Sequence, residues 1–167
     1  MKLNSDIKSL LTGLWLGSAI LFVGVAQAAF SIIPARDLAG AMVSRTLAIV
    51  NVAGIIIGVI VLALSFLDRK STHRKTLWFE RILTLILLSS CMVGQFVIAL
   101  WMSYLRGLMG RPIDDVLPTD PLRVQFNSLH QYSVWILMVG MISALLLFFV
   151  SARLKRTSDS SNISDSL

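Results

Sequence analysis

The sequence has few of the residues from which proteins usually build reactive sites. Its 167 residues include one cysteine, Cys91, and two histidines, His73 and His130. One cysteine permits no disulfide within the chain, and the topology derived below places the two histidines on opposite sides of a membrane, where they do not share a haem. No nucleophile, base and orienting group stand in a recognisable spacing. We therefore expect neither an enzyme nor a bound cofactor or metal.

Charged residues are also scarce, and four long stretches contain none. Only 14% of the residues are charged, while 56% are hydrophobic and the mean hydropathy is +0.79, which is too apolar for a soluble core of this size. About 20 apolar residues in a helix cross the ~30 Å hydrocarbon layer of a membrane. The stretches without Asp, Glu, Lys, Arg or His cover residues 10–30, 47–67, 83–104 and 134–150. Because backbone groups in lipid need partners, each stretch is predicted to be one helix of a small bundle.

The net charge of +6 is a topology signal rather than evidence for nucleic-acid binding. Ten of the fifteen Lys and Arg residues precede the first span, follow the last or lie between the second and third, and five lie in the other two loops. Positive residues accumulate on the cytoplasmic side, so both termini are predicted to be cytoplasmic in a bacterial inner membrane. Trp15 and Trp78 then fall toward the inner interface, and Trp101 and Trp135 toward the outer one, as in an aromatic belt.

The first span has two interpretations. Its Ala-Gln-Ala sequence at residues 26–28 fits the small-x-small rule of a signal-peptide cleavage site. The apolar run is long for a signal peptide, however, and its glycines share one helix face, as they do where membrane helices approach closely. We predict that the span is retained. The glycines predicted to pack against neighbouring helices are Gly13, Gly17, Gly24, Gly54 and Gly58.

Segments outside the spans also carry structural signals. Residues 34–45 open with a proline and carry apolar residues on one side, which predicts a short interfacial helix. Glu80, at the edge of the third span, is either a proton-coupling carboxylate or, as we prefer, half of an interfacial ion pair with nearby cations such as Arg81. Asp120 and Pro121 are good first residues for a helix.

The chain therefore divides into three parts. We predict a cytoplasmic N-terminus at residues 1–9 and a transmembrane domain at residues 10–153. Because the last span continues from the helix that opens at Pro121, this extended helix is predicted to run to about Arg153. A polar, serine-rich tail at residues 154–167 is predicted to be disordered.

A polar stripe leads into the last span. Arg123, Asn127, His130 and Ser133 follow at steps of 4, 3 and 3, which places them on one helix face. Amide side chains within the other spans are predicted at a similar depth, and polar groups in lipid turn inward to find partners. The predicted cluster in the outer half comprises Gln27, Asn51, Gln95, Arg123, Asn127, His130 and Ser133. The alternative is a set of independent hydrogen bonds between helices, with no ligand.

Four stretches of the sequence resemble a known family, at residues 14–22, 34–45, 94–96 and 123–133. The most specific is Phe-x-x-Leu-His-x-x-Ser at residues 126–133. Together they resemble the bacterial four-span membrane family of unknown function, DUF4149, which is related to eukaryotic transmembrane protein 205. The resemblance implies four membrane helices, a retained first span and a role for His130 as a family feature. The eukaryotic relatives are associated with resistance to platinum drugs, so the resemblance implies transport or trafficking as one expectation.

The sequence thus predicts an all-α integral membrane bundle of four helices, with a short interfacial helix after the first and an extended last helix. The expected function is to bind or move a small solute or ion through the outer-half polar cluster. The alternative is a non-catalytic accessory or assembly subunit acting through helix–helix contacts. The expected partners are the lipid bilayer and a second copy or another membrane protein, and no nucleic acid.

Overall fold

The computed structural model describes the backbone of residues 2–67 and 74–164 and the side chains of residues 3–67 and 74–152. All regular secondary structure in these residues is helical. His73, considered above as a haem ligand, lies outside the described residues. The elements are α1 (Lys2–Ile32), α2 (Arg36–Leu67), α3 (Arg74–Met92), a π-helical turn (Val93–Ile98), α4 (Ala99–Met109), a 3-10 turn (Ile113–Asp115) and α5 (Pro121–Ser164).

Four helical segments are long and apolar enough to cross a membrane, which confirms the predicted fold class. They cover Leu3–Ile32, Arg36–Leu67, Arg74–Met109 and Pro121–Ala152. The third consists of α3, the π-helical turn and α4 in unbroken succession. Each segment has at least 30 residues, so each is about 45 Å long or longer and extends beyond the hydrocarbon layer.

The four spans form a bundle in which α1 and α3 lie diagonally opposite each other. α1 packs against α2 and α5, and α3 packs against the same two helices. The hydroxyl of Ser5, at the start of α1, donates a 2.5 Å hydrogen bond to the backbone oxygen of Ser151 in α5. We call the end of the bundle that contains this bond the terminal end, because α1 begins there. The other is the opposite end.

Buried residues recur along the helices at alternating steps of three and four. This spacing keeps one seam of each helix facing its neighbours, as in left-handed bundles. The seam of α1 contains Ser5, Lys8, Thr12, Trp15, Ala19 and Phe22. The seam of α3 contains Leu77, Glu80, Thr84, Leu87 and Cys91. The polar residues in these lists show that the interior is not apolar throughout.

The start of α5 agrees with the prediction. Asp120 Oδ1 accepts a 2.8 Å hydrogen bond from the backbone N–H of Leu122, and Pro121 is the first helical residue. The first turns of α5 then pack against α4 through a small apolar cluster at the opposite end. The buried members of that cluster are Ile98, Leu105, Phe126 and Leu129.

The predicted interfacial helix at residues 34–45 is not a separate element. From Arg36 onward these residues are the first turns of α2, which continues without interruption to Leu67. Pro34 lies in the short connection before the helix. No proline occurs between this connection and the apolar run, so nothing there breaks the helical hydrogen-bond ladder.

α5 also extends further than the prediction. It was expected to end at about Arg153 and to be followed by a disordered tail at residues 154–167, but its helical backbone continues to Ser164. This segment contains neither proline nor glycine, so no residue in it interrupts a helix for steric reasons. Residues 165–167 lie outside the described part of the chain.

Candidate functional site

The residues of the predicted polar cluster do not meet at one place. Asn51 and Ser133 line the same cavity inside the bundle. Gln27, Asn127 and His130 are exposed on the outside of the helices and are not among the residues that line this cavity. The structure therefore brings together two of the seven predicted residues and separates these three from them.

The remaining two members make local interactions. Gln95 belongs to the π-helical turn, and its Oε1 atom is buried without a hydrogen-bond donor among the described residues. Arg123 donates a hydrogen bond to the backbone oxygen of Val116 and so fastens the connection that precedes α5. Neither residue lines the cavity that contains Asn51 and Ser133.

Helix rotation explains why His130 points outward. The inward seam of α5 passes through Phe126, Leu129 and Ser133, at steps of three and four. Each successive residue is turned by about 100°, so the residue that follows Leu129 leaves the seam. Burial of the large apolar side chains of Phe126 and Leu129 is more favourable in free energy than burial of polar side chains that would find no hydrogen-bond partners.

The central cavity, as we call it, has a volume of about 10 Å³. Asn51 is only 4% exposed and lies at the middle of α2. The cavity thus occurs where the middle parts of all four spans meet. Its lining residues are Trp15, Leu47, Asn51, Ser90, Cys91, Gly94, Ser133, Ile136, Leu137 and Gly140.

Two glycines allow the walls of the central cavity to approach one another. A Cβ atom on Gly94 would lie 3.2 Å from Asn51 Nδ2, and one on Gly140 would lie 3.4 Å from Ser90 Cβ. Gly94 is part of the π-helical turn. Such turns occur mostly as single insertions in α-helices, often at functional sites, and this one lies directly beside the buried amide.

Trp15 is a core residue and not part of an aromatic belt, so the belt prediction is wrong for this tryptophan. It is 1% exposed, and its Nε1–H donates a 2.9 Å hydrogen bond to the backbone oxygen of Val50 in α2. Gly54 lies one turn further along α2, where a Cβ atom would come within 2.6 Å of Trp15 Nε1. Close contact at Gly54 therefore lets the indole reach a backbone carbonyl. The other three tryptophans are exposed.

A second buried polar site lies near the terminal end. Lys8 Nζ in α1 and Glu80 Oε1 in α3 are 2.7 Å apart and form a salt bridge across the diagonal of the bundle. Their side chains are 1% and 0% exposed. Thr12 and Thr84, one turn further along each helix, are also fully buried, and their hydroxyls bond to the backbone oxygens of Lys8 and Glu80.

Glu80 forms an ion pair, as predicted, but its partner is not the adjacent Arg81. The adjacent Arg81 turns toward α2, where its guanidinium donates hydrogen bonds of 3.3 and 2.8 Å to the hydroxyl and the backbone oxygen of Ser65 and lies over the ring of Phe66. Glu80 instead faces inward and meets Lys8, 72 positions earlier in the chain. The three–four spacing that places Lys8 in the seam of α1 was the sequence signal for its burial.

The five glycines predicted to pack between helices divide into two groups. Cβ atoms on Gly13 and Gly58 would meet Phe148 and Leu88 at 3.3 Å, and Gly54 is still more tightly enclosed. Gly17 and Gly24 have no described atom within 4 Å of such a position. The first three thus lie at contacts within the chain, whereas the last two lie on its outer surface.

Metal-ligand groupings are absent from the described residues, where no three His, Cys, Asp or Glu side chains come together. Cys91 is buried beside Gly54, and a Cβ atom on that glycine would lie 2.5 Å from its Sγ atom. Among the described residues, the buried polar groups named above are amides, hydroxyls, an indole N–H, a thiol and the Lys8–Glu80 salt bridge.

Comparison with known proteins identifies a family but no characterised relative. No curated protein and no solved structure matches the chain. Residues 10–110, which make up more than half of the chain and include the first three spans, match a family described as a domain of unknown function, DUF4149. The protein is thus a multi-pass, four-span membrane protein that belongs to the DUF4149 family.

Proposed function

We propose that the protein is a non-catalytic accessory or assembly subunit that acts through helix–helix contacts in the membrane, with the outer face of α1 as its docking surface. The observation that carries this proposal is the position of Gly17 and Gly24. Both lie in the middle part of a membrane helix, and neither has a described atom of the chain within 4 Å of where a side chain would begin.

These glycines belong to a second, regular stripe on α1. The stripe repeats at steps of 4, 3, 4, 3 and 4, and every member is exposed in the single chain. The same helix therefore has one seam that is buried inside the bundle and another, with equivalent spacing, that is exposed. The outer stripe consists of Leu10, Leu14, Gly17, Leu21, Gly24 and Ala28.

The free-energy cost of glycine in a helix favours a glycine stripe that contacts a partner helix over one that faces lipid. Glycine in a helix interior costs about 1 kcal/mol relative to alanine, and lipid contact does not recover that cost. Small residues do permit close approach of two helix backbones, which is a main source of association between membrane helices. A partner helix lying along Gly17 and Gly24 would therefore offset the cost of both.

The dimensions of the interior argue against passage of a solute through a single chain. The central cavity has a volume of about 10 Å³, which is about the size required for one water molecule. Three of the polar residues predicted to bind a ligand, among them His130, face outward. A pathway formed by these residues would require other chains to enclose it.

The proposal also includes location and orientation. We infer that the protein belongs to a bacterial inner membrane and has both termini in the cytoplasm. The support is the distribution of Lys and Arg, of which ten fall on the side of the termini and five on the other. The relation to eukaryotic transmembrane protein 205 belongs to the same proposal and is supported by the sequence stretches described above.

The docking surface can be tested by substitutions that place larger side chains on it. We expect Gly17→Leu with Gly24→Leu to abolish association of the chain with its partner while the monomer stays folded, because both new side chains enter open space within the chain. Native mass spectrometry of the protein in mild detergent or nanodiscs would report the complex. Gly107→Leu on α4 is the matched control, since it makes the same change at another glycine with no described atom within 4 Å.

The outcomes of this experiment are distinct. Loss of the complex in the double variant but not in the control supports the proposal, and the mass of the wild-type complex says whether the partner is a second copy or another protein. A wild-type chain that is monomeric in nanodiscs, or a complex that survives both substitutions, would refute it.

The rival function, solute binding at the predicted polar cluster, depends on His130. Because this side chain is exposed and bonds to no described residue, we expect His130→Ala to change the free energy of unfolding by no more than about 0.5 kcal/mol. It should also leave the mass and elemental content of the purified protein unchanged. A small molecule or metal present in the wild type and missing from the variant would instead support the rival function.

A further inference from the structure

We propose that the central cavity is a binding site for one water molecule, held by the side-chain amide of Asn51 and by the serine hydroxyls that line the same space. The inference is independent of the accessory function proposed above. It begins from Asn51, which is 4% exposed in the middle of α2 and whose side-chain amide makes no hydrogen bond to any residue in the described part of the chain.

A buried amide without partners is not expected in the interior of a stable membrane protein. Transfer of an amide from water to apolar surroundings is unfavourable unless its hydrogen bonds are replaced, and the bilayer offers no bulk water to replace them. The Asn51 side chain lines the central cavity, so the cavity is where replacement bonds are available. Its two donors and one acceptor can bind a molecule that both donates and accepts.

The volume and lining of the cavity select the occupant. About 10 Å³ corresponds to roughly one water-sized probe, which is too little for an organic solute. The polar lining comprises the neutral side chains of Asn51, Ser90 and Ser133, with no carboxylate among the lining residues. These groups satisfy the hydrogen bonds of a water but offer little to compensate a dehydrated cation.

The site is built by the packing of several elements. Asn51 comes from α2, Ser90 from α3 and Ser133 from α5, so one water would connect three of the four spans. Gly94 brings the π-helical turn against the amide, where a Cβ atom would lie 3.2 Å from Asn51 Nδ2. A side chain at position 94 would press on this amide, which gives the glycine a role in the site.

The direct test is magnetisation transfer from water to side-chain amides, measured by solid-state NMR on protein labelled with 15N-asparagine in lipid bilayers. The chain has four asparagines, so the spectrum is simple. We expect Asn51 to show a water contact that persists at mixing times typical of bound water. Exposed Asn127 is the internal control and should show exchange with bulk water.

Two serine variants and an exchange of the salt cation distinguish bound water from other occupants of the central cavity. Ser133→Ala should weaken the Asn51 signal from bound water, whereas Ser128→Ala, at an exposed serine of the same helix, should leave it unchanged. An Asn51 amide without water contact in the wild type would overturn the proposal. So would an Asn51 resonance that shifts when Na⁺ or K⁺ is replaced by choline, because the occupant would then be a cation.

Discussion

Removing the acidic half of the buried salt bridge should destabilise the protein more than any surface change. We expect Glu80→Met to lower the free energy of unfolding by about 3–5 kcal/mol, because it removes the carboxylate that lies 2.7 Å from the buried ammonium of Lys8. Lys8→Met should have a similar effect. The measurement is the unfolding free energy in detergent micelles or bilayers.

The double variant separates charge compensation from packing. Lys8→Met with Glu80→Met should recover most of the lost stability, since apolar pairs often replace buried ion pairs at little or no cost. Lys75→Met, at an exposed lysine near the same end, is the matched control and should change stability by no more than about 0.5 kcal/mol. Additive losses in the double variant would show that the two charges do not compensate each other.

The second large effect is expected at Gly54. A Cβ atom there would lie 2.5 Å from Cys91 Sγ and 2.6 Å from Trp15 Nε1, both of which are held in the packed core. Gly54→Ala should therefore displace the indole and break its hydrogen bond to Val50. Overpacking costs about 1–3 kcal/mol and the lost bond about 1 kcal/mol, so we expect a total loss of about 2–4 kcal/mol in unfolding free energy.

Tryptophan fluorescence would report the displacement together with the stability. Gly17→Ala is the control, because alanine at that position meets no described atom and improves helix propensity. Cys91→Ala should rescue part of the Gly54→Ala loss by removing one of the two close contacts. An unperturbed stability and fluorescence in Gly54→Ala would mean that α1 and α2 are not held together at this point.

Sequence patterns predicted the spans well because membrane insertion depends on local composition. An apolar run of about 20 residues without charge forms a helix in lipid whatever its neighbours do. The helix start at Pro121 was equally predictable, since the Asp120 side chain and the proline act within one turn. The end of α5 and the start of α2 were placed less well, because no local residue marks where an apolar helix passes into a polar one.

The candidate site was predicted less well because it depends on how each helix is rotated. Gln27 and His130 lie on outward faces, and of the seven predicted residues only Asn51 and Ser133 line the same cavity. A shift of one residue along a helix changes direction by about 100°. Polarity and depth alone therefore did not identify which amides face each other.

The amino-acid sequence by itself determined that this is a four-span helical membrane protein. Each long apolar segment forms a helix in the hydrocarbon layer independently of the other segments. Only the tertiary structure decided that Lys8 forms a salt bridge with Glu80. It also decided that the Trp15 indole bonds to the backbone of Val50 across the space left by Gly54. The same packing places Asn51 beside a water-sized cavity. These contacts join residues on different helices. They depend on the rotation and mutual packing of whole helices, and the composition of no single segment specifies them.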